Sequence, residues 1–216
     1  MTAGTTHRVP LTREHIVEAA LAIVDIDGAE SLTMRKLGQR LGVDPMAVYH
    51  HLPNKAAVLD GIVDHLWDGV RLGSATPGET WQAVLVEVFT AFRVGLLQHP
   101  RAVAIIGTRP SVTPAMFRLV EAILQRLEVA GLTGSDAMQL IDCLSGFTIG
   151  KVLAETSDVT GGHAEHVGAA LASLTPQTHP TLLRALAGGY GFAPEEEFHK
   201  GLRALIEGWP AARAGG

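Results

Sequence analysis

Between Thr33 and Lys55 the chain reads TMRKLGQRLGVDPMAVYHHLPNK, and few folds accommodate that stretch. Met34, Leu37 and Leu41 recur at helical spacing and form one apolar face. Thr33 offers an N-cap, its hydroxyl satisfying a backbone N–H that the first turn leaves free. Gly42 ends the helix, because a tight exit needs the left-handed conformation glycine accepts. Only Val43 then precedes Asp44, a second N-cap, and Pro45 sits at the first helical position, where a missing N–H costs nothing. A second helix, Pro45 to about Leu52, packs through Val48 and Leu52. Two short helices joined by a glycine turn make a helix-turn-helix.

The outward face of the second helix carries groups suited to a DNA groove. Ala47 is small enough for the backbone to approach a base edge, and Met46 suits a thymine methyl. Tyr49, His50 and His51 supply donors for bases and phosphates, and Lys55 adds a charge just beyond. Arg35 has the fork geometry for a guanine, while Thr33 is suited to hold phosphate. The same pattern also describes a helical hairpin with a solvated polar face, and spacing alone does not separate the two.

Upstream, residues 1–10 read as a flexible arm, an unattached tail in preference to one in which His7 and Arg8 touch phosphate or the minor groove. Thr12 caps a helix to about Asp27 with Ile16, Ala19, Ala20 and Ile23 on one face, stopped by Gly28. Downstream, Asn54 caps a linking helix from Lys55 to Leu72. Residues 73–78 are turn-rich, and a helix follows from Thr80 to His99, closed by Pro100. A short helix covers Ala102 to Ile106, another runs from Thr113 to Ala130, and a long one from Ser135 to Thr156. The last is apolar on several faces, as a helix buried on several faces must be. Residues 157–193 read mostly as loop with a helical stretch at Thr181–Ala187. The final helix begins near Pro194, where Glu195, Glu196 and Glu197 suit its positive end, and reaches Trp209.

The expected fold is therefore all-α. A three-helix helix-turn-helix domain (1–55, linking helix 55–72) is followed by a helical domain over 73–216. A net charge of −5 argues against a generally basic nucleic-acid coat. Arg8, Arg13, Arg35, Lys36, Arg40 and Lys55 are offset locally by Glu14, Glu18, Asp25, Asp27, Glu30 and Asp44, so any basic patch must come from geometry. One cysteine, Cys143, excludes an internal disulfide framework and reads as an inert core thiol. No secretory pattern and no run near the ~20 apolar residues of a membrane span is visible. A soluble cytoplasmic protein without a membrane partner is the expectation.

The run Val48-Tyr49-His50-His51-Leu52-Pro53-Asn54-Lys55 with Ala56-Ala57-Val58-Leu59-Asp60, and the upstream Leu32-Thr33-Met34-Arg35-Lys36-Leu37, resemble the signature of TetR-family transcriptional regulators. The resemblance is strong over Leu11 to Leu66. It continues more weakly through Gly107-Thr108-Arg109-Pro110, Gly146-Phe147-Thr148-Ile149-Gly150 and Phe198 to Trp209, which are similar to the tetracycline-repressor branch. It implies a homodimer that binds double-stranded operator DNA through the N-terminal domain. The C-terminal domain would bind a small effector and pair the subunits, with the helices near 135–156 and 195–209 forming a four-helix interface.

The resemblance also bears on the effector. Phe89, Phe92, Met116, Phe117 and Phe147 lie at helical spacing, which serves a plain core as well as a cavity wall; the resemblance favours the wall, with Ile105, Thr108, Arg109 and Leu144 completing it. Arg109, beside a helix break in an apolar region, needs a partner: a ligand carboxylate or phenolate, or a neighbouring acid such as Glu155. Where tetracycline repressors carry a metal-ligating histidine, two residues before Gly-Thr-Arg-Pro, this chain has Ile105, and a polar gripping position appears as Val88. The implied effector is largely apolar and is not magnesium–tetracycline. His163 and His166, three apart, fall short of a metal site, so no cofactor is expected. No P-loop, GxGxxG, GxSxG or HExxH occurs, so an enzyme reading has no catalytic constellation behind it. A ligand-responsive repressor is favoured over an unrecognised helical enzyme or a ligand-free DNA-binding protein.

Overall fold

A computed structural model describes residues 10–109, 112–156, 172–188 and 193–209. Ten α-helices occur among them: α1 (Arg13–Asp27), α2 (Met34–Leu41), α3 (Pro45–His51), α4 (Lys55–Asp68), α5 (Trp81–Gln98), α6 (Val103–Thr108), α7 (Pro114–Val129), α8 (Gly134–Glu155), α9 (Pro180–Ala187) and α10 (Pro194–Glu207). No strand occurs among the described residues.

The caps that open these helices are side-chain oxygens. Thr12, Thr33, Asn54, Thr80 and Thr113 each accept from the N–H three residues on, and Asp44 accepts from the N–H of Met46, two on. Each such cap is worth about 1 kcal/mol. Pro45, Pro114, Pro180 and Pro194 sit in first turns, where their missing N–H is no loss.

α1, α2 and α3 form a small unit with α4, its core made by Ile16, Ala20, Leu37, Val48, Val58 and Ile62, all fully buried. α4 packs on α1 with one side and on α7 with the other. It thus belongs mechanically to both halves. The sequence predicts a linking helix to Leu72, but α4 ends at Asp68. Gly69 closes it through its N–H to His65 O, and buried Val70 turns the chain back onto the core.

In the larger half α8 is central, packing against α5, α6, α7 and α10. By length and composition α8 is long and apolar enough to cross a membrane, although its polar residues break up any continuous apolar run. Its Leu140, Leu144, Thr148 and Val152 are instead fully buried within the bundle. Cys143 is only half-buried, so it is not the core thiol that its neighbours imply. The helical stretch expected at 181–187 is present as α9. His163 and His166 lie outside the described residues.

Candidate nucleic-acid interface and ligand cavity

The angle between α2 and α3 is set by two glycines. Gly42 adopts φ 65°, ψ 31°, and the N–H of Val43 returns to Gly38 O at 3.0 Å. Gly38 itself was not singled out in the sequence. A Cβ there would lie 3.1 Å from Val43 O and 3.2 Å from Pro45, so a side chain would push α3 away. Glycine inside a helix is unfavourable by about 1 kcal/mol relative to alanine, and that unfavourable choice was the available signal of a close approach.

With Val48 and Leu37 turned inward, α3 shows the surface Met46, Tyr49, His50 and His51, with Met46 62% and Tyr49 40% exposed. Pro45 and Ala47 are half-buried, at the helix start and on its flank. Arg35, on α2, is exposed, and neither Arg35 nor Arg40 has an ion pair among the described residues. Thr33 is occupied as a cap by the Lys36 N–H at 3.1 Å. Lys55 donates from Nζ to Ala29 O at 3.2 Å, which holds its charge beside the end of α3. Lys36 is paired with Asp27 at 2.7 Å.

Behind this unit, α4, α5, α7 and α8 frame a half-open cavity of about 480 Å³. That is small-molecule size. Of the expected lining residues, Phe89, Phe92 and Met116 are in its wall. Helical phase removes others. Phe117, one residue past Met116, points away and is 58% exposed. On α8 the cavity side is Met138, Ile141, Asp142, Ser145 and Ile149. Leu144 is turned into the bundle, and Phe147 stacks on Phe198 with ring centres 5.6 Å apart. Ile105 is buried but outside the wall. Thr108 donates to Ala104 O at 2.6 Å, closing α6 on itself.

Arg109 does not reach the cavity wall. Its Nε and Nη2 donate to Asp60 Oδ1 at 2.9 and 2.6 Å, and Nη2 also meets Ala56 O at 3.3 Å. Glu155, the sequence alternative, is taken by Arg93 through two bonds of 2.8 and 2.9 Å. Asp60 opens a ladder on α4. One turn further, Asp64 Oδ1 accepts from the Ala115 N–H at 2.8 Å, so an α4 carboxylate meets the positive end of α7. Another turn on, Asp68 accepts from Arg118 at 2.9 Å. Three aspartates at four-residue spacing share one helix face, and all three engage the larger half.

Among the cavity residues missed by sequence reasoning are Trp67 and Asp142. Trp67, on α4, stacks on Phe92 with ring centres 4.3 Å apart, and its buried Nε1 has no hydrogen-bond partner. Asp142 is the cavity's one charged side chain, with no ion pair among the described residues. No group of three or more His, Cys, Asp or Glu that could hold a metal occurs among the described residues.

Residues 16–62 match the family model for bacterial regulatory proteins of the tetR family, and residues 74–212 match that for the tetracyclin repressor-like C-terminal domain. The Escherichia coli tetracycline repressor protein class E is 33% identical over 205 residues, 93% of this chain and 92% of that protein. An HTH-type transcriptional regulator of Saccharopolyspora erythraea is 33% identical over 215 residues, 95% of this chain and 86% of that protein. Among solved structures, ActR of Streptomyces coelicolor in complex with actinorhodin superposes with a TM-score of 0.79 at 27% identity, covering 93% of this chain and 97% of that one.

Proposed function

This chain belongs to the TetR family of ligand-responsive transcriptional regulators, and from that premise we propose that it is a repressor released from a palindromic operator by a largely apolar effector. The observation that carries the reading is the coexistence of an exposed α3 face with a mostly apolar cavity walled by α4, the helix that follows α3. It acts in the cytoplasm, where the operator lies. The subunits pair through α8 and α10, as two-fold operator reading demands. Half-sites one DNA turn apart require the two α3 helices about 34–36 Å apart. An effector that binds better to a state of different spacing shifts the population off DNA. Trp67 gives the effector a direct hold on α4, and the Asp60, Asp64 and Asp68 contacts give it an indirect one through Arg109 and α7.

In this reading Arg35 and the surface from Pro45, Met46 and Ala47 to Tyr49, His50 and His51 read bases, while Thr33 and Lys55 hold phosphates. Arg35→Ala is expected to cost about 1–3 kcal/mol and to relax preference at one base pair. Lys55→Ala should weaken all operator sequences alike and flatten the salt dependence by about one unit of slope. Fluorescence anisotropy on labelled operators at several salt concentrations measures both; unchanged affinity in both variants overturns the assignment.

Magnesium–tetracycline is not the effector in this proposal. Ile105 is buried and offers no metal ligand, and among the described residues the cavity wall has one carboxylate and no imidazole. Magnesium gives up its waters reluctantly and asks for several oxygen ligands. Tetracycline titrated into the operator complex should give no magnesium-dependent release at micromolar drug, and such release would refute the claim.

A further inference from the structure

The polar groups of the cavity define the charge of what it takes. Its wall is apolar and aromatic over α4, α5 and α7, and its polar side chains are Asp142 and Ser145 on α8. Among the described residues no Arg, Lys or His lines it, and Arg109 is held by Asp60. Among them an anionic ligand would therefore meet a carboxylate and no cation. The stacked Trp67–Phe92 pair presents flat aromatic surface in the wall. Ser145 gives its proton to Ile141 O at 2.7 Å, so towards a ligand its oxygen can only accept.

We propose that the cavity selects a flat aromatic molecule carrying a protonated amine, which meets Asp142. This rests on the reading of the cavity as the effector site and adds the charge and hydrogen-bonding pattern of the effector. A cation placed here gains from Asp142 and from the faces of the surrounding aromatic rings. The Ser145 oxygen accepts a second amine hydrogen.

The test uses three fluorescent probes of one ring system, 9-(aminomethyl)anthracene, 9-anthracenemethanol and 9-anthracenecarboxylate, titrated into the full chain at pH 7 without DNA. The amine is expected to bind about tenfold more tightly than the alcohol, the scale of one charge-assisted contact. The carboxylate should bind least well. Asp142→Asn, at an exposed position that leaves the core intact, should bring the amine to the level of the alcohol and leave the alcohol within about twofold. Binding of none of the probes, equal binding of all three, tighter binding of the carboxylate, or an amine preference that survives Asp142→Asn overturns the proposal. Failure of the repressor reading would show separately, as no operator affinity, because the charge preference is read without DNA.

Discussion

Phe198→Ala is expected to destabilise the protein by about 3–5 kcal/mol, the range for truncating a fully buried phenylalanine and leaving its cavity behind. Phe198 on α10 has no exposed surface. Its ring stacks on Phe147 of α8, and the Arg93 guanidinium of α5 lies 5.2 Å from its centre. Truncation removes packing from three helices at once and strips one face from Arg93, whose pairing with Glu155 is largely buried. Collapse to fill the hole is restricted, because Gly201 already holds the Phe147 ring closer than any side chain at 201 would allow, a Cβ there falling 2.6 Å from it. Denaturant unfolding at fixed protein concentration measures the loss, with Leu182→Ala on α9, 45% exposed, as a near-neutral control. A difference under about 1 kcal/mol would contradict the packing described.

Arg126→Ala should be nearly as damaging, at about 3 kcal/mol, since it removes one partner of a largely buried ion cluster. Arg126 on α7 bonds Glu79 at 2.5 and 3.1 Å and Glu87 at 2.9 Å, and reaches Gly73 O at 3.3 Å. It ties the connector between α4 and α5 to α7. Burial pushes the Glu87 carboxyl up, but the Arg126 hydrogen bond, the Gly73 N–H and the Arg126 charge outweigh it and hold it below the ordinary carboxylate range. A carboxyl lowered in the folded state contributes stability that is present above its unfolded value, near 4.5, and is lost as pH falls through the folded one. Wild-type stability should therefore fall on acidification through this range. In Arg126→Ala the Glu87 carboxylate keeps its burial but loses that hydrogen bond and charge, so the difference from wild type should shrink as pH falls through 4.5. Thermal melts from pH 7 to below 4.5 check the slopes; parallel curves would show that Arg126 does not govern this acid.

The helices were legible because their boundaries are written in local chemistry. Thr12, Thr33, Asp44, Asn54 and Thr113 announce starts that need no tertiary information. The helix-turn-helix followed from Gly42 and Pro45 for the same reason. The end of α4 was not legible, since Leu72 continues the apolar stripe and only the burial of Val70 against the rest of the fold decides where the helix stops. In the cavity the sequence named α5, α7 and α8 but added α6, which is outside the wall, and missed α4, and on α7 and α8 it mistook part of the phase. Met116 and Phe117 are equally apolar, and only the packing of α7 decides which faces inward. Arg109 was read as needing a partner, and that partner is Asp60, while Glu155, the acid named from the sequence, pairs with Arg93. Trp67 escaped notice because it sits on a helix read only as a link, although an indole N–H on a buried face always raises the question of its acceptor.

The aspartate ladder on α4 bears on how such a protein diversifies. Core residues between α1 and α4 change only in concert, since Gly61 already meets Val17 so closely that a Cβ would fall 2.6 Å from its methyl. Asp60, Asp64 and Asp68 lie partly in solvent and each serves a different group, Arg109, the start of α7 and Arg118. Any one can be exchanged without repacking its neighbours. Under the proposed mechanism, the strength with which an effector signal reaches α3 is thus heritable in three small, separable steps, while the operator-reading surface and the cavity evolve untouched. A lineage can inherit a new threshold of response before it inherits a new ligand.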